Sequence, residues 1–338
     1  MTANKNNDDL PLHAVVFAGP NGSGKSSLIK ELEQSGLTTI GGLYPVPAYV
    51  INPDQVAKDL PGTFPDQASR DRAAFDAAIK LRDEAIQSGK PFAYETVMSH
   101  PSRINEMLRL KEQGYSVLVT FITTDNPDTN VARVKQRVET GTTTGHGVPE
   151  KNIRERYERT LSLLPKAAEV ADAVFVYDNS IDWQAPTTQA VIERGGKFAV
   201  KVDAKEWVKQ RLVEPLRSRE NDLETIQKVL TDKGQGGAMA DELRGNYSGP
   251  VILSTKNFVV QLDDGSKQPI IHDRLMLDVA PESNKGLPPT YAQHEKMTIR
   301  YTEANAPSID RHEKARQAPA QEQKSPVGEK KRTDDRER

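Results

Sequence analysis

The sequence predicts an α/β protein: a mainly parallel sheet with flanking helices, followed by a small C-terminal β-rich domain and a disordered tail. Three observations lead there. A short apolar run, His13-Ala-Val-Val-Phe-Ala18, ends in a glycine-rich turn that passes straight into a helix-spaced segment from Ser26. Apolar runs of strand length then alternate with amphipathic segments of helix length as far as residue 177, the order that builds a doubly wound sheet. Beyond residue 247 the apolar spacing shortens to about two residues, the period of a strand.

Taken in order, residues 13–18 are apolar at consecutive positions, which suits a strand buried on both faces. The helix from Ser26 stops before Gly36, a glycine end signal. Strands over 49–51, 92–94, 117–122 and 174–177 alternate with helices over 68–87, 102–113, 127–138 and 150–164. A hairpin of 189–193 against 197–202, turning at Arg194-Gly-Gly196, belongs at one edge of the sheet. Residues 204–219 and 221–233 read as two charged amphipathic helices, and 234–237 as a flexible break. Alternating runs over 251–253, 258–262, 269–272 and 296–301, separated by turn signals such as Asp263-Asp-Gly265, predict the β-rich domain. Past residue 302 the chain is rich in Ala, Pro, Gln, Lys, Glu and Arg, with too little apolar surface to offset its ordering entropy. The expected organisation is a first domain over 1–212, a helical linker over 213–246, a β module over 247–302 and a disordered tail over 303–338. Everything after Gly234 is expected to be dispensable for catalysis, so that a chain ending near Leu212 keeps its turnover.

Composition narrows the chemistry. The 338 residues carry a formal charge of −2, which gives no overall attraction to nucleic acid or to a membrane surface. The absence of cysteine excludes disulfides, thiolate metal sites and cysteine nucleophiles. Met1–Leu10 is polar and acidic, without the apolar stretch of a signal peptide. No run approaches the roughly 18 apolar residues of a membrane span. A cytoplasmic protein with no membrane partner is expected.

Gly19-Pro-Asn-Gly-Ser-Gly-Lys25-Ser26 matches the phosphate-binding loop G-x-x-x-x-G-K-[ST] at every fixed position, between a predicted strand and a predicted helix. The glycines let backbone N–H groups close on phosphate oxygens, and the helix N-terminus adds partial positive charge. In such a loop the lysine, here Lys25, reaches the β- and γ-phosphates, and the hydroxyl of Ser26 ligates Mg²⁺. ATP and Mg²⁺ are therefore the expected cofactors. Nucleotide contacts are assigned to Gly19, Pro20, Asn21, Gly22, Ser23, Gly24, Lys25, Ser26 and Ser27.

Asp54 lies in Asn52-Pro-Asp54, past the carboxyl end of the second predicted strand, where open α/β sheets bind ligands. It can take a proton from an acceptor hydroxyl, or it can cap a helix starting at Gln55. Glu95 and Thr96 close another strand at the same edge. Glu95 there either orients substrate or a magnesium-bound water, or is a solvated loop residue. Arg133, Arg137, His146, Arg154 and Arg156 sit on or between two helices around the Gly/Thr-rich stretch 140–149. They form either a mobile lid that brings charge onto a transferring phosphoryl group or ordinary solvated helix faces. Asp178-Asn179 follows the last parallel strand, where it passes under a nucleotide base or simply turns. His272 and His294 are isolated and read as surface residues.

Together these pieces resemble the zeta-toxin kinases, in their Gram-negative and plasmid-borne variant. The resemblance spans residues 13–180. It rests on the phosphate loop, Ile51-Asn-Pro-Asp54, Phe92-Ala-Tyr-Glu-Thr96, Gly145-His-Gly-Val-Pro149 and Tyr177-Asp-Asn-Ser180. It implies a P-loop kinase that phosphorylates the 3′-hydroxyl of UDP-N-acetylglucosamine as the toxin of a toxin–antitoxin system, with an antitoxin protein as partner. It further implies Asp54 as the proton acceptor, with Lys25, Arg133 and Arg137 as catalytic charges. Substrate contacts fall to Asn52, Glu95, Thr96, His146 and Arg154. The chain departs from the pattern at Thr144-Gly-His146, where relatives show Gly-Gly-His, at Val97, and at His146, where Gram-positive members place an arginine. Residues 247–301 resemble a KfrB-type module, which implies a plasmid or mobile-element partner.

Two other functions remain open at this stage: a P-loop kinase acting on an antibiotic, a nucleotide or a nucleic-acid end, and a plasmid maintenance protein using ATP as a switch. The run 117–122 ends in Thr-Thr-Asp125 without the acidic pair that such switches carry, which favours the kinase.

Overall fold

The computed structural model describes residues 12–141, 148–194, 197–279 and 290–312. Among these, seven strands form the first sheet, in the order β4-β5-β1-β6-β7-β8-β9. They are β1 (His13–Ala18), β4 (Val50–Ile51), β5 (Phe92–Thr96), β6 (Ser116–Thr123), β7 (Ala173–Asp178), β8 (Thr187–Glu193) and β9 (Phe198–Val200). The pairs from β4 through β7 are parallel, and β8 and β9 add the antiparallel hairpin expected at the edge. The α/β expectation holds.

β1 is buried along its whole length and feeds both faces of the sheet. Ala14, Val16 and Ala18 join one apolar cluster with Tyr94, Phe121, Leu161 and Leu164, whereas Val15 and Phe17 join the other with Leu28, Ile29 and Leu32. That alternation is why the strand is apolar at consecutive positions. Helices α1 (Lys25–Ser35), α3 (Gln67–Ser88), α4 (Ser102–Glu112), α5 (Pro127–Glu139) and α6 (Glu150–Val170) follow the expected order. α6 continues through Pro165 instead of stopping at 164, because Leu163, Leu164, Ala167 and Val170 are all buried and their packing outweighs the lost helical hydrogen bond. A small hairpin, β2 (Leu37–Thr39) with β3 (Gly42–Tyr44), was not expected, and the helix that one reading of Asp54 starts at Gln55 begins two residues earlier, as α2 (Pro53–Asp59).

The largest departures come after residue 204. One helical segment, α7 (Glu206–Val208), a π-helical turn (Lys209–Val213) and α8 (Glu214–Asp232), replaces the two expected helices. The expected break near residue 220 is missing because Arg219, at 1% exposure, is a buried anchor and not a surface charge. A second sheet follows in the order β10-β13-β12-β11-β14-β15. Its strands are β10 (Ala238–Met239), β11 (Asn246–Ser254), β12 (Phe258–Leu262), β13 (Pro269–Asp273), β14 (Lys296–Arg300) and β15 (Ser308–Arg311). β15 corrects the expected start of the tail at residue 303: it pairs with β14, and Ile309 enters the module's core. The rest of that tail, 313–338, lies outside the described residues.

The module packs against the first domain. Asp273, at the end of β13, accepts hydrogen bonds from Lys166 Nζ (2.9 Å) on α6 and from Arg219 Nη2 (2.6 Å) on α8. Lys166 also binds Glu242 (2.8 Å), and Arg219 also binds Glu169. Burial would lower the pKa of Lys166, but Asp273 and Glu242 outweigh it and hold the ammonium well above its usual range. For Asp273 burial acts upward, and the two cations overcome it to bring the carboxyl down to about 2. Met276, just beyond β13, packs in the same apolar cluster as Leu163, Val208 and Leu212. His272 is fully buried, against the expectation of a surface residue, with Nδ1 hydrogen-bonded to the Tyr301 hydroxyl at 2.9 Å. No helix among the described residues is long and apolar enough to cross a membrane.

Candidate functional site

β1 lies between β5 and β6, and the chain leaves β1 and β6 toward opposite edges of the sheet. The crevice at such a switch point is where open α/β sheets bind ligands, and the glycine loop sits in it. Two asparagines clamp that loop. Asn130 Nδ2, from α5, donates to Asn21 O at 2.6 Å, and Asn179 Nδ2, just past β7, donates to Ser23 O at 2.8 Å. They explain two of the glycines. A Cβ at Gly24 (φ 100°) would lie 2.2 Å from Asn179 Nδ2, and one at Gly22 (φ 79°) would lie 2.5 Å from Asn130 O. No side chain caps the start of α1, so its first N–H groups face the loop's concavity.

Lys25 is 7% exposed and donates to Gly19 O (2.9 Å) and Pro20 O (3.0 Å). Its ammonium lies 3.6 Å from Glu95 Oε1. Burial lowers the pKa of Lys25; Glu95 and Asp54 oppose the shift, and Arg137 adds to it. The charges of Asp54, Glu95 and Arg137 thus converge on the lysine of the phosphate loop.

Asp54 itself is exposed in the first turn of α2. It does not cap a helix at Gln55. The helix starts at Pro53, and the Asn52 side chain caps it, Oδ1 accepting from Asp54 N (2.8 Å) and Gln55 N (3.3 Å). Asn52 Nδ2 also donates to Glu95 Oε2 at 2.7 Å, so both ends of that amide are engaged in holding the site. Glu95 is correspondingly mostly buried, at 15% exposure, and is not a solvated loop residue. Thr96 ties its strand to the loop: its carbonyl accepts from Gly19 N at 3.3 Å. Ser26 and Ser27 are exposed at the start of α1.

The arginines separate into different roles. Arg133 donates through Nε (2.9 Å) and Nη2 (2.6 Å) to Asp182 Oδ1, while its Nη1 is buried without a hydrogen-bond partner among the described residues. Arg154 is 42% exposed and bridges Asp128 (2.6 Å) and Glu150 (2.7 Å), joining α5 to α6. Arg156, which carried no individual assignment, reaches Asn21 Oδ1 at 3.4 Å and is the α6 arginine at the loop. Burial and the neighbouring Arg159 lower its pKa. His146 and the stretch 142–147 lie outside the described residues. Asn130 was also missed, since it is a fully buried amide in a helix that reads as charged and solvated.

Known proteins resemble this chain to differing degrees. An uncharacterized protein of Haemophilus influenzae is 32% identical over 144 residues, which cover 43% of this chain and 91% of that protein. The solved AvrRxo1-ORF1:AvrRxo1-ORF2 structure with sulphate ions is 16% identical with a TM-score of 0.46, and the match covers 60% of this chain but only 64% of that one. A structure from the PezAT chromosomal toxin–antitoxin system of Streptococcus pneumoniae is 13% identical with a TM-score of 0.42, covering 66% and 91% of the two chains. The zeta toxin family model matches residues 2–183, more than half of the 338 residues and every element of the phosphate-loop crevice described above, and the chain belongs to that family.

Proposed function

We propose that the protein transfers the γ-phosphoryl group of ATP to a small-molecule hydroxyl, the 3′-hydroxyl of UDP-N-acetylglucosamine, and that it acts in the cytoplasm as the toxin of a toxin–antitoxin pair. The observation that carries the reading is Asp54: a solvent-facing carboxylate beside the phosphate loop, relieved of helix capping by Asn52 and near enough for its charge to act on Lys25. The choice of acceptor follows from the family's motifs at Asn52, Glu95 and Thr96.

In this mechanism the loop amides from Gly19 to Ser27 hold the triphosphate and Lys25 turns from the loop carbonyls to the β- and γ-phosphates. The acceptor hydroxyl is held by Glu95 and Thr96 and gives its proton to Asp54. As that proton leaves, the acceptor oxygen bonds to the γ-phosphorus and the bond to the β-phosphate oxygen breaks, giving ADP and a phosphate ester. Arg137 and Arg133 add positive charge to the phosphoryl group in flight. The residues fit a magnesium ion: the Ser26 hydroxyl is exposed on the first turn of α1 and makes no hydrogen bond among the described residues, an oxygen donor suited to a hard cation. Among the described residues no cluster of three His, Cys, Asp or Glu side chains could hold a metal, so phosphate oxygens would complete its shell. When bound, the ion supplies charge neutralisation on the β- and γ-oxygens. The antitoxin, and a plasmid-encoded partner for the C-terminal module, belong to this same proposal.

The test is to incubate the full chain with ATP, Mg²⁺ and a panel of sugar nucleotides, antibiotics and nucleotides, and to read the products by mass spectrometry. A phosphorylated UDP-N-acetylglucosamine supports the reading. ATP hydrolysis without any phosphorylated acceptor contradicts it.

A further inference from the structure

We infer that Trp183 is a stacking platform for the purine base of the bound nucleotide. The chain has two tryptophans, and they occupy opposite environments. Trp207 is 7% exposed and donates its Nε1–H to Asp178 Oδ2 at 2.8 Å. Trp183 is 96% exposed, and its φ of 63° lies in the left-handed region that bulky residues avoid. Ile181, two residues earlier, is 53% exposed. Presenting a whole indole to water in a disfavoured backbone conformation costs free energy twice, which calls for something that covers the ring.

The loop that carries Trp183 is not loose. Asn179 N donates to Thr123 O at 2.8 Å, and Ser180 Oγ accepts from Asp125 N at 2.8 Å. Asp182, the residue before Trp183, is held by two hydrogen bonds from Arg133. The ring is therefore held out on a fixed support, the preorganisation that a binding surface needs.

Its position indicates the ligand. Asn179, four residues before Trp183, is hydrogen-bonded to Ser23 O inside the phosphate loop. Four residues reach at most about 14 Å from that anchor, comparable to the distance from the phosphates of a nucleoside triphosphate to its base. The backbone of Trp183 therefore lies within the span over which a triphosphate held in the loop can deliver its base. An independent observation ties this support to the site: Arg133, whose guanidinium holds Asp182, stands on α5 together with Asn130, whose side chain clamps the phosphate loop at Asn21 O. Every nucleobase offers a π-face, and the larger purines stack over more area, so the preference is for ATP or GTP over pyrimidine nucleotides.

This inference rests on the nucleotide site proposed above, and the experiment separates the two. Indole emission of the full chain is followed while ATP, CTP and inorganic tripolyphosphate are added, in wild type, Trp183→Phe and Trp183→Ala. Calorimetry gives the affinities, and a thermal melt confirms that each variant folds. The expected result is quenching by ATP in wild type that disappears in Trp183→Phe, with affinity kept by the phenyl ring. Trp183→Ala should bind ATP about tenfold more weakly, as for loss of one base–aromatic stack, with tripolyphosphate affinity unchanged. Equal ATP affinity in wild type and Trp183→Ala overturns the inference and leaves the ring to a protein partner. Failure of both ATP and tripolyphosphate to bind wild type overturns the nucleotide site, and this inference with it.

Discussion

Replacing Asp273 by alanine should loosen the C-terminal module from the kinase domain, and the structure sets the size of the effect. The carboxylate is fully buried and accepts from Lys166 Nζ at 2.9 Å and from Arg219 Nη1 and Nη2 at 3.1 and 2.6 Å. It also accepts from Leu275 N at 2.9 Å, capping the short helix that follows. Removing it leaves two buried cations short of a partner. Removing one side of a buried ion pair costs about 3–5 kcal/mol. Lys166 keeps Glu242 and Arg219 keeps Glu169, which limits the loss, while the missing cap adds about 1 kcal/mol. A total of about 4 kcal/mol corresponds to a fall of about 10 °C in Tm, at roughly 2–4 °C per kcal/mol in chains of this order of size. Calorimetry on the full chain, with limited proteolysis at the glycines of 234–237, reads it directly. A Tm within about 2 °C of wild type, with unchanged proteolysis, would refute the view that this cluster fastens the module; the magnitude drawn from buried pairs would then not apply here.

Lys25→Ala should abolish phosphoryl transfer while keeping a cooperative melt, and wild-type turnover would remove the phosphate-loop assignment. Gly24→Ala should lose about 1–3 kcal/mol and weaken ATP binding, because the new Cβ meets Asn179 Nδ2 at 2.2 Å in a backbone conformation that alanine disfavours; unchanged stability and affinity would argue against the clamp. Acid should weaken module docking through Asp273. Its pKa is depressed from 3.8 to about 2, so its contribution is complete above 3.8 and is lost as pH falls toward 2. Glu242, raised by burial, acts with the opposite sign, so the acid loss should be steeper in Glu242→Gln; identical acid profiles would contradict this balance.

What could be read in the sequence follows from how local each interaction is. The phosphate loop was legible because its geometry demands glycine and lysine at fixed spacing, and the structure adds only the asparagines that clamp it. Asp54 was placed at the carboxyl edge of the sheet with two readings, proton acceptor or helix cap; Asn52 and Asp54 are both good capping residues, and the helix start at Pro53 gives the cap to Asn52, whose amide also reaches Glu95, 43 residues away. Arg219 ends a segment that reads as a charged amphipathic helix and Lys166 lies past the expected helix end at 164, and neither shows as buried because their partners come from separate segments at 169, 242 and 273. For the same reason the sequence shows no tie between the module and the first domain, whereas a chain ending near Leu212 loses Arg219, Glu242 and Asp273 together. His272 was misread because its partner, Tyr301, lies 29 residues further on. β15 is a four-residue strand whose sequence, Ser-Ile-Asp-Arg, carries one apolar residue and no period of its own.

The account's central claim is that Asp54 accepts the proton of the substrate hydroxyl, and Asp54→Asn tests it most directly. ATP affinity should be preserved, because Lys25, Ser26 and the loop amides are untouched. Tm should move by the equivalent of well under about 1 kcal/mol, because Asn52 and not Asp54 caps α2. The rate of phosphoryl transfer to UDP-N-acetylglucosamine should fall by about 10²–10⁴-fold, the usual contribution of a general base. Transfer at close to the wild-type rate, in a variant that binds ATP and melts normally, would contradict the claim.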